Sequence, residues 1–383
     1  MSEQIRTDSS NAFAHDTMQR RFPATVREVA SLNPDYPPAI LNNLARLAET
    51  IEQNQTIAAF DPLAPDIDLW TEPLRRHEGH TWLNTDWFFA EIAGYRHLIS
   101  AVRWWETGRD PFAPKKAAEL GNAELWRLLA KALELRRHPL PERLAALIYM
   151  DLWGNRIDLS FAPSLEHGTI SSESDLLVDD AHAVVSHLLE HKGDIHFIAD
   201  NTGTELALDL ALADALLDHG VTRVVFHLKI HPTFVSDATV SDMYILLAAM
   251  ASEEYGDEIA QLARRLRAAL DTGRLRLAPD FFWNSSYALA DLPARLKALF
   301  APAALVINKG DLNYRRLLGD VLWPATTPFA QVTAHFPAPL LALRTLKSDP
   351  IVGLPHGLAE HLDAQDHRWR VNGRRGVLQF RVG

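Results

Sequence analysis

Cysteine is absent from all 383 residues, which removes disulfides, thiolate metal sites and cysteine nucleophiles from consideration. Any metal must therefore be held by His, Asp, Glu, Asn or water. No apolar run is long enough to cross a bilayer, and the polar start MSEQIRTDSSNAF lacks the basic-then-apolar pattern of a leader peptide. A cytoplasmic location is the expectation. Positive charge is also scarce: 38 Lys and Arg against 49 Asp and Glu leave a formal net charge of -11. Such a surface repels nucleic-acid backbones and anionic membranes, so neither is expected as a partner, whereas a local basic pocket for a small anion stays compatible. Protein partners are not legible. Repeats and low-complexity segments are missing too, and a hydrophobic fraction of 47% supports a sizeable core.

A chain of this length exceeds one typical compact domain. Residues 20 to 160 carry apolar positions at helical spacing, as in TDWFFAEIAGYRHLISAVRWWETG and LPERLAALIYMDLWGN, between Pro, Gly and polar breaks. Trp82, Trp87, Trp104, Trp105 and Trp126 crowd this half, and a helical core is the simplest use for them. Beyond WGNRIDLS the texture changes to short apolar runs alternating with helical stretches: DIHFIAD, TRVVFHLKI, RLRLAPD, AALVINKG and PLLALRTLK. That alternation predicts a largely parallel sheet covered on both faces. GVLQFRVG is expected to add an edge strand. The expected fold class is thus α/β: a flexible N-terminus over 1–19, a mainly helical module over 20–160, and a three-layer α/β/α domain over 161–383.

The unusual polar residues follow strand ends. Asp200 and Asn201 end the first run, Asp237 follows the second, Asp311 follows AALVINKG, and Arg344 and Lys347 end PLLALRTLK. The carboxyl edge of an open α/β sheet is where ligands bind, so these groups are expected to converge on one crevice. Asp200 and Asn201 supply oxygens suited to a hard cation such as Mg²⁺ or Mn²⁺, with Asp237 a candidate third ligand. Equally, Asp200 or Thr202 suits the cap of the following helix, and Asp237 a surface turn. His227 and His231 are left outside the ligand set, because oxygen-rich company favours Mg²⁺ or Mn²⁺. The stretch Lys309 to Arg315 joins a glycine to dense donors and one carboxylate; it suits the grip of a phosphorylated ligand, with Asp311 moving a proton or attacking.

Taken together, WFFAEIAGYRHL, DPFAPKK, LWGNRIDLS, FIADNTGTEL, FVSDAT, INKGDLNYRRLLGD and LRTLKSD resemble the metal-dependent damage-control phosphatases of the domain-of-unknown-function eighty-nine group. The subfamily resembled carries a C-terminal Arg-Thr-x-Lys motif, and acidic residue methyltransferase activity is also described for it. The resemblance implies metal ligation by Asp200, Asn201 and Asp237. It implies substrate contact along Asp311, Leu312, Asn313, Tyr314 and Arg315 and at Lys347, and it matches Glu205 to a position assigned to S-adenosylmethionine. Thr202 departs from the small residue common in that turn.

The leading expectation is metal-dependent hydrolysis of small phosphometabolites such as sugar phosphates, with Mn²⁺ or Mg²⁺, or else Co²⁺ or Ni²⁺. Asp200 and Asp311 are the candidate catalytic carboxylates, and Arg344 and Lys347 contact substrate. Water on the ion and an attacking carboxylate remain open as nucleophile. Glu91 and Arg96 are expected on a pocket wall, and Asn155 and Asp158 at the domain junction. The first alternative is an S-adenosylmethionine-dependent carboxyl methyltransferase, although the turn after Asn201 has only Gly203 where such a fold wants several glycines. The second is a non-catalytic phosphometabolite sensor.

Overall fold

The structure, a computed structural model, describes residues 3–154 and 175–383. Asn155, Asp158 and the expected domain boundary after residue 160 lie outside them. Nine strands are described: β1 (Glu3–Gln4), β2 (Leu176–Asp179), β3 (Asp194–Ile198), β4 (Arg223–Leu228), β5 (Leu275–Pro279), β6 (Leu305–Lys309), β7 (Val321–Leu322), β8 (Leu340–Thr345) and β9 (Gly376–Arg381). Seven of them form the central sheet in the order β2-β9-β8-β6-β3-β4-β5. Every pair is parallel except β8 with β9.

The near-continuous apolar character of the inner strands has a direct cause, since both faces are covered. In β6, Leu305 and Ile307 enter one core and Val306 the other; in β8, Leu341 and Leu343 oppose Leu340 and Ala342. After β3 the chain adds β4 and β5 on one side, then crosses back to place β6 on the other. The carboxyl ends of β3 and β6 therefore flank the point where strand order reverses, the usual crevice of an open α/β sheet.

Three expectations need correction. β9 is not an edge strand: it sits between β2 and β8, and β2 takes the edge. Alternation alone does not rank strands within a sheet. Helices Ala123–Glu134 and Leu140–Trp153, expected in the helical module, contribute Leu125, Leu129, Leu144 and Ile148 to the core on one face of the sheet. The separate helical core instead gathers Phe22–Leu32, Pro38–Glu52 and Trp87–Ala101, plus Leu312 from the α/β part. Nor is the N-terminus loose. β1 pairs with β7, Thr7 N donates to Thr85 O at 2.9 Å, and Ile5, Ala14 and Met18 are buried.

Arg96 also departs from its expected place on the pocket wall. Its Nε and Nη2 donate to the Asp66 carboxylate at 2.6 and 2.8 Å, and Trp70 Nε1 donates to the same group at 3.1 Å. Arg96 and Asp66 are 1% and 4% exposed, so removing either leaves an uncompensated buried charge. Asp66→Ala should destabilise the protein by about 3–5 kcal/mol in urea unfolding followed by tryptophan fluorescence. A change below about 1 kcal/mol would show that the pair is not a strut of the helical core.

Candidate active site

Past β3 the chain runs through Ala199, Asp200 and Asn201 into helix Thr204–His219. Two backbone hydrogen bonds zip this turn to the loop after β4: Ala238 N to Asp200 O and Thr202 N to Ser236 O, both 2.7 Å. Asn201 consequently pairs with Asp237 as an isolated antiparallel bridge. The second loop is strained, because Phe234 and Val235 take φ of 45° and 70°. A β-branched residue there is an outlier that tertiary contacts must enforce. The bend delivers Ser236 and Asp237 to the sheet edge.

Asn201 is fixed from every side. Its Nδ2 donates to Asp200 Oδ2 at 3.0 Å and to Glu205 Oε2 at 2.6 Å, its backbone N–H reaches Glu205 Oε2 at 3.2 Å, and Ser236 Oγ donates to its Oδ1 at 2.6 Å. Glu205, matched by resemblance to S-adenosylmethionine, is thus engaged in orienting Asn201. The capping alternative for Asp200 and Thr202 is not what is seen: Gly203 is the cap residue, and Thr204 N–H donates to Glu119 Oε1 at 3.0 Å. A carboxylate from 85 residues away occupies the helix N-terminus.

β6 runs directly into helix Gly310–Leu318, so the expected gripping loop is helical. Asp311 is the convergence point of the Arg-Thr-x-Lys segment. Arg344 Nε donates to Asp311 Oδ1 at 2.7 Å and the Lys347 backbone N–H to the same oxygen at 2.9 Å. Burial would raise the Asp311 pKa, but Arg344, the Lys347 amide and Arg315 outweigh it and hold the carboxyl below its usual range.

Arg344 was expected to touch substrate. It is instead fully buried, with its other nitrogens bonded to the carbonyls of Ser348 and Pro350 and its guanidinium over the Tyr314 ring. Asn313 ties strand ends together by donating to Ala199 O and Lys309 O, and Tyr314 donates to Gln379 Oε1 at 2.8 Å in the opposite core. Helical periodicity explains the split: 311, 312 and 315 face the cavity while 313 and 314 turn into the protein. Arg315 borders the cavity, yet Asp320 takes its Nε at 2.7 Å and Glu91 its Nη1 at 2.6 Å.

One cavity of about 310 Å³ is lined by Asp200, Asn201, Asp237, Asp311, Leu312, Arg315 and Lys347 from the sheet edge, and by Phe13, Thr17, Arg21, Phe22, Thr25, Trp87, Glu91 and Tyr95 from the helical part. Burial first, then Glu205 and Asp237, push the Asp200 pKa well above the carboxylate range. Burial likewise pushes Asp237 to about 6 against the pull of Lys229. Buried carboxylates that repel one another, beside an amide oxygen with a second lone pair free, are a donor set that a hard divalent cation satisfies. Among the described residues no group of three His, Cys, Asp or Glu is arranged for a metal, so the fit depends on Asn201 as the third donor.

Several contributors were missed in the sequence. Lys229 Nζ lies 3.3 Å from Asp237 Oδ2, and Lys116 Nζ, held by Asp110 and Asp242 at 2.8 Å, donates to Asp237 O at 3.3 Å. Lys309 is buried with Asp151 and Asp209 immediately before Gly310. Lys116 in DPFAPKK and Lys309 in INKGDLNYRRLLGD stood in motifs already singled out, but without these roles.

Three substitutions test this construction. Gly310 has φ of 80°, and a Cβ there would overlap the Asp200 carboxylate, whereas Gly220, with φ of 95°, has open space around it. Gly220→Ala should cost about 1 kcal/mol of backbone strain and nothing else. Gly310→Ala should also displace Asp200 and lower divalent-ion affinity at least tenfold by calorimetry; equal ion affinity in both variants would contradict the arrangement. Arg344→Lys, which cannot reproduce the fork joining Asp311 to the Ser348 and Pro350 carbonyls, should reduce kcat by ~10²-fold with a smaller change in KM. Wild-type kcat in that variant would remove Asp311 orientation from the catalytic requirements.

The chain is similar to known proteins over most of its length. A relative from Danio rerio named damage-control phosphatase ARMT1 is 29% identical over 406 residues, covering 95% of this chain and 90% of the relative. The Rattus norvegicus protein of the same name is 30% identical over 375 residues, covering 88% of this chain and 85% of the relative. A crystal structure of a DUF89 family protein from Pyrococcus horikoshii aligns with a TM-score of 0.47 and 16% identity over 94% of this chain and 98% of that one. The damage-control phosphatase ARMT1-like domain matches residues 17–362, and the chain belongs to that family of divalent-metal-dependent phosphatases.

Proposed function

We propose that this protein hydrolyses small phosphometabolites, sugar phosphates among them, with Asp200, Asn201 and Asp237 holding Mn²⁺ or Mg²⁺. One observation carries the assignment: Asp200, Asn201, Asp237, Asp311 and Lys347, from the ends of four strands, line a single cavity. When bound, the divalent ion supplies positive charge to a phosphoryl oxygen.

The chain's own residues supply the rest. Asp311, ionised and pinned by Arg344 and the Lys347 amide, suits a carboxylate that attacks phosphorus or orients the attacking water; its lowered pKa makes it a poor proton store. Lys347 Nζ has no hydrogen bond or ion pair among the described residues. Burial lowers its pKa, but Glu205, Asp200, Asp311 and Asp237 outweigh that and keep it protonated. It is a cation available to the phosphoryl oxygens. Arg315 acts through Glu91 and Asp320, bracing the cavity wall with its guanidinium 3.5 Å above the Trp87 ring. At the N-terminus of helix Thr204–His219 the Thr204 N–H is already taken by Glu119. Among the described residues no helix is long and apolar enough to cross a membrane, and a cytoplasmic location is part of the proposal.

The test is to strip divalent ions, restore Mg²⁺, Mn²⁺, Co²⁺ or Ni²⁺ singly, and follow phosphate release from a panel of sugar phosphates. Activity should return with Mn²⁺ or Mg²⁺, and Asp200→Ala should fall by ~10³-fold or more. Release no greater than that of Asp200→Ala with every ion would sink the site assignment. Methyl transfer from S-adenosylmethionine to a protein acceptor, lost in Glu205→Ala, would favour the methyltransferase reading instead.

A further inference from the structure

Part of the helical wall of the cavity, Phe13 and Thr17, comes from the segment expected to be a flexible tail, and Arg21 and Thr25 continue it into the helical module. Helix runs without a break from Ala12 to Leu32, but its middle, Thr17–Arg21, is a π-helix. Phe13, Thr17, Arg21 and Thr25, each four residues apart, all line the cavity. In an uninterrupted α-helix a four-residue step overshoots a full turn by about 40°, so three steps swing about 120° and cannot keep one face. The wider i→i+5 turn undershoots and cancels that drift. The π segment is what aligns the row.

Within that row Arg21 is the one charged side chain. Its guanidinium lies 5.2 Å from the Phe13 ring centroid and makes no hydrogen bond or ion pair among the described residues, whereas neighbouring Arg20 pairs with Asp16. Three cations line the cavity. Arg315 is neutralised by Asp320 and Glu91, Lys347 faces the carboxylates at the strand ends, and Arg21 has no anion assigned to it. Thr17 and Thr25 donate their hydroxyls to carbonyls one turn back, so the guanidinium is the donor this row offers the cavity. A cavity of about 310 Å³ exceeds what an isolated phosphate group fills.

We propose that Arg21 is a specificity-determining residue that binds a second anionic group, a phosphate or carboxylate, at the far end of the phosphorylated substrate. The preferred class is then phosphomonoesters of sugar size carrying a distal anion, over those ending in hydroxyls alone. This rests on the phosphatase reading of the same cavity.

The experiment compares a hexose monophosphate with a hexose bisphosphate on the metal-loaded wild type, Arg21→Gln and Arg21→Lys. The ratio of kcat/KM, bisphosphate over monophosphate, should fall tenfold or more in Arg21→Gln through KM, and recover in part in Arg21→Lys. An unchanged ratio, or an equal loss on both compounds, overturns the proposal. Calorimetric binding of the same two compounds reads the same ratio without turnover. Absence of phosphate release from both, with the binding preference intact, would count against hydrolysis and for the Arg21 contact. Should Arg21→Gln fail to fold, Arg21→Lys and Arg21→Met carry the comparison.

Discussion

The cavity hangs from one close approach, that of the Asp200 carboxylate to the backbone at Gly310. β3 and β6 are parallel neighbours at the point where strand order reverses, so their carboxyl ends open side by side. A side chain at 310 would stand in the space the carboxylate occupies. Because 310 lacks one, helix Gly310–Leu318 begins directly beneath Asp200 and brings Asp311 beside it. From there Asp311 collects Arg344 and the Lys347 amide from β8, and Asp200 is zipped to Asp237 beyond β4. Four strands thus contribute to one site through contacts that all refer back to that approach.

Charge is arranged in depth around it. Carboxylates line the cavity, and cations lie behind them: Lys229 and Lys116 at Asp237, Arg344 at Asp311, Lys309 beneath Gly310. Burying so many charges costs several kcal/mol per ion before pairing. Asp209 shares Lys309 with Asp151, its Oδ1 3.1 Å from Nζ, and its pKa still rises well above its usual range, first through burial and then through Asp151. That expense is tolerable because the same groups hold rigid the carboxylates whose geometry matters.

The part of the site that was legible is the part that follows strand ends. Asp200, Asn201, Asp237, Asp311 and Lys347 stand after apolar runs that only a doubly covered sheet explains, and that sheet orders its ligand groups by topology. Arg344, Asn313 and Tyr314 were read as substrate contacts because they share those motifs. Their side chains build the site from behind, a distinction of direction and not of position. Glu119, Lys116, Lys229 and Arg21 were passed over for the complementary reason. Local sequence does not say what their side chains face, and their partners lie up to 126 residues away.

By itself the sequence determined the class of fold, the locations of six of the seven central strands, the exclusion of thiolate chemistry and the set of oxygen donors offered at the sheet edge. Those properties are local, written in periodicity, β-branched runs and residue type. Only the tertiary structure decided which of the motif residues face the cavity, that β9 lies within the sheet, and that the N-terminal segment is a wall of the site. Side-chain direction within a motif turns on helix phase and on which partner fills the space behind it. A row such as 13, 17, 21 and 25 reads as drifting until the π turn is seen to hold it in line.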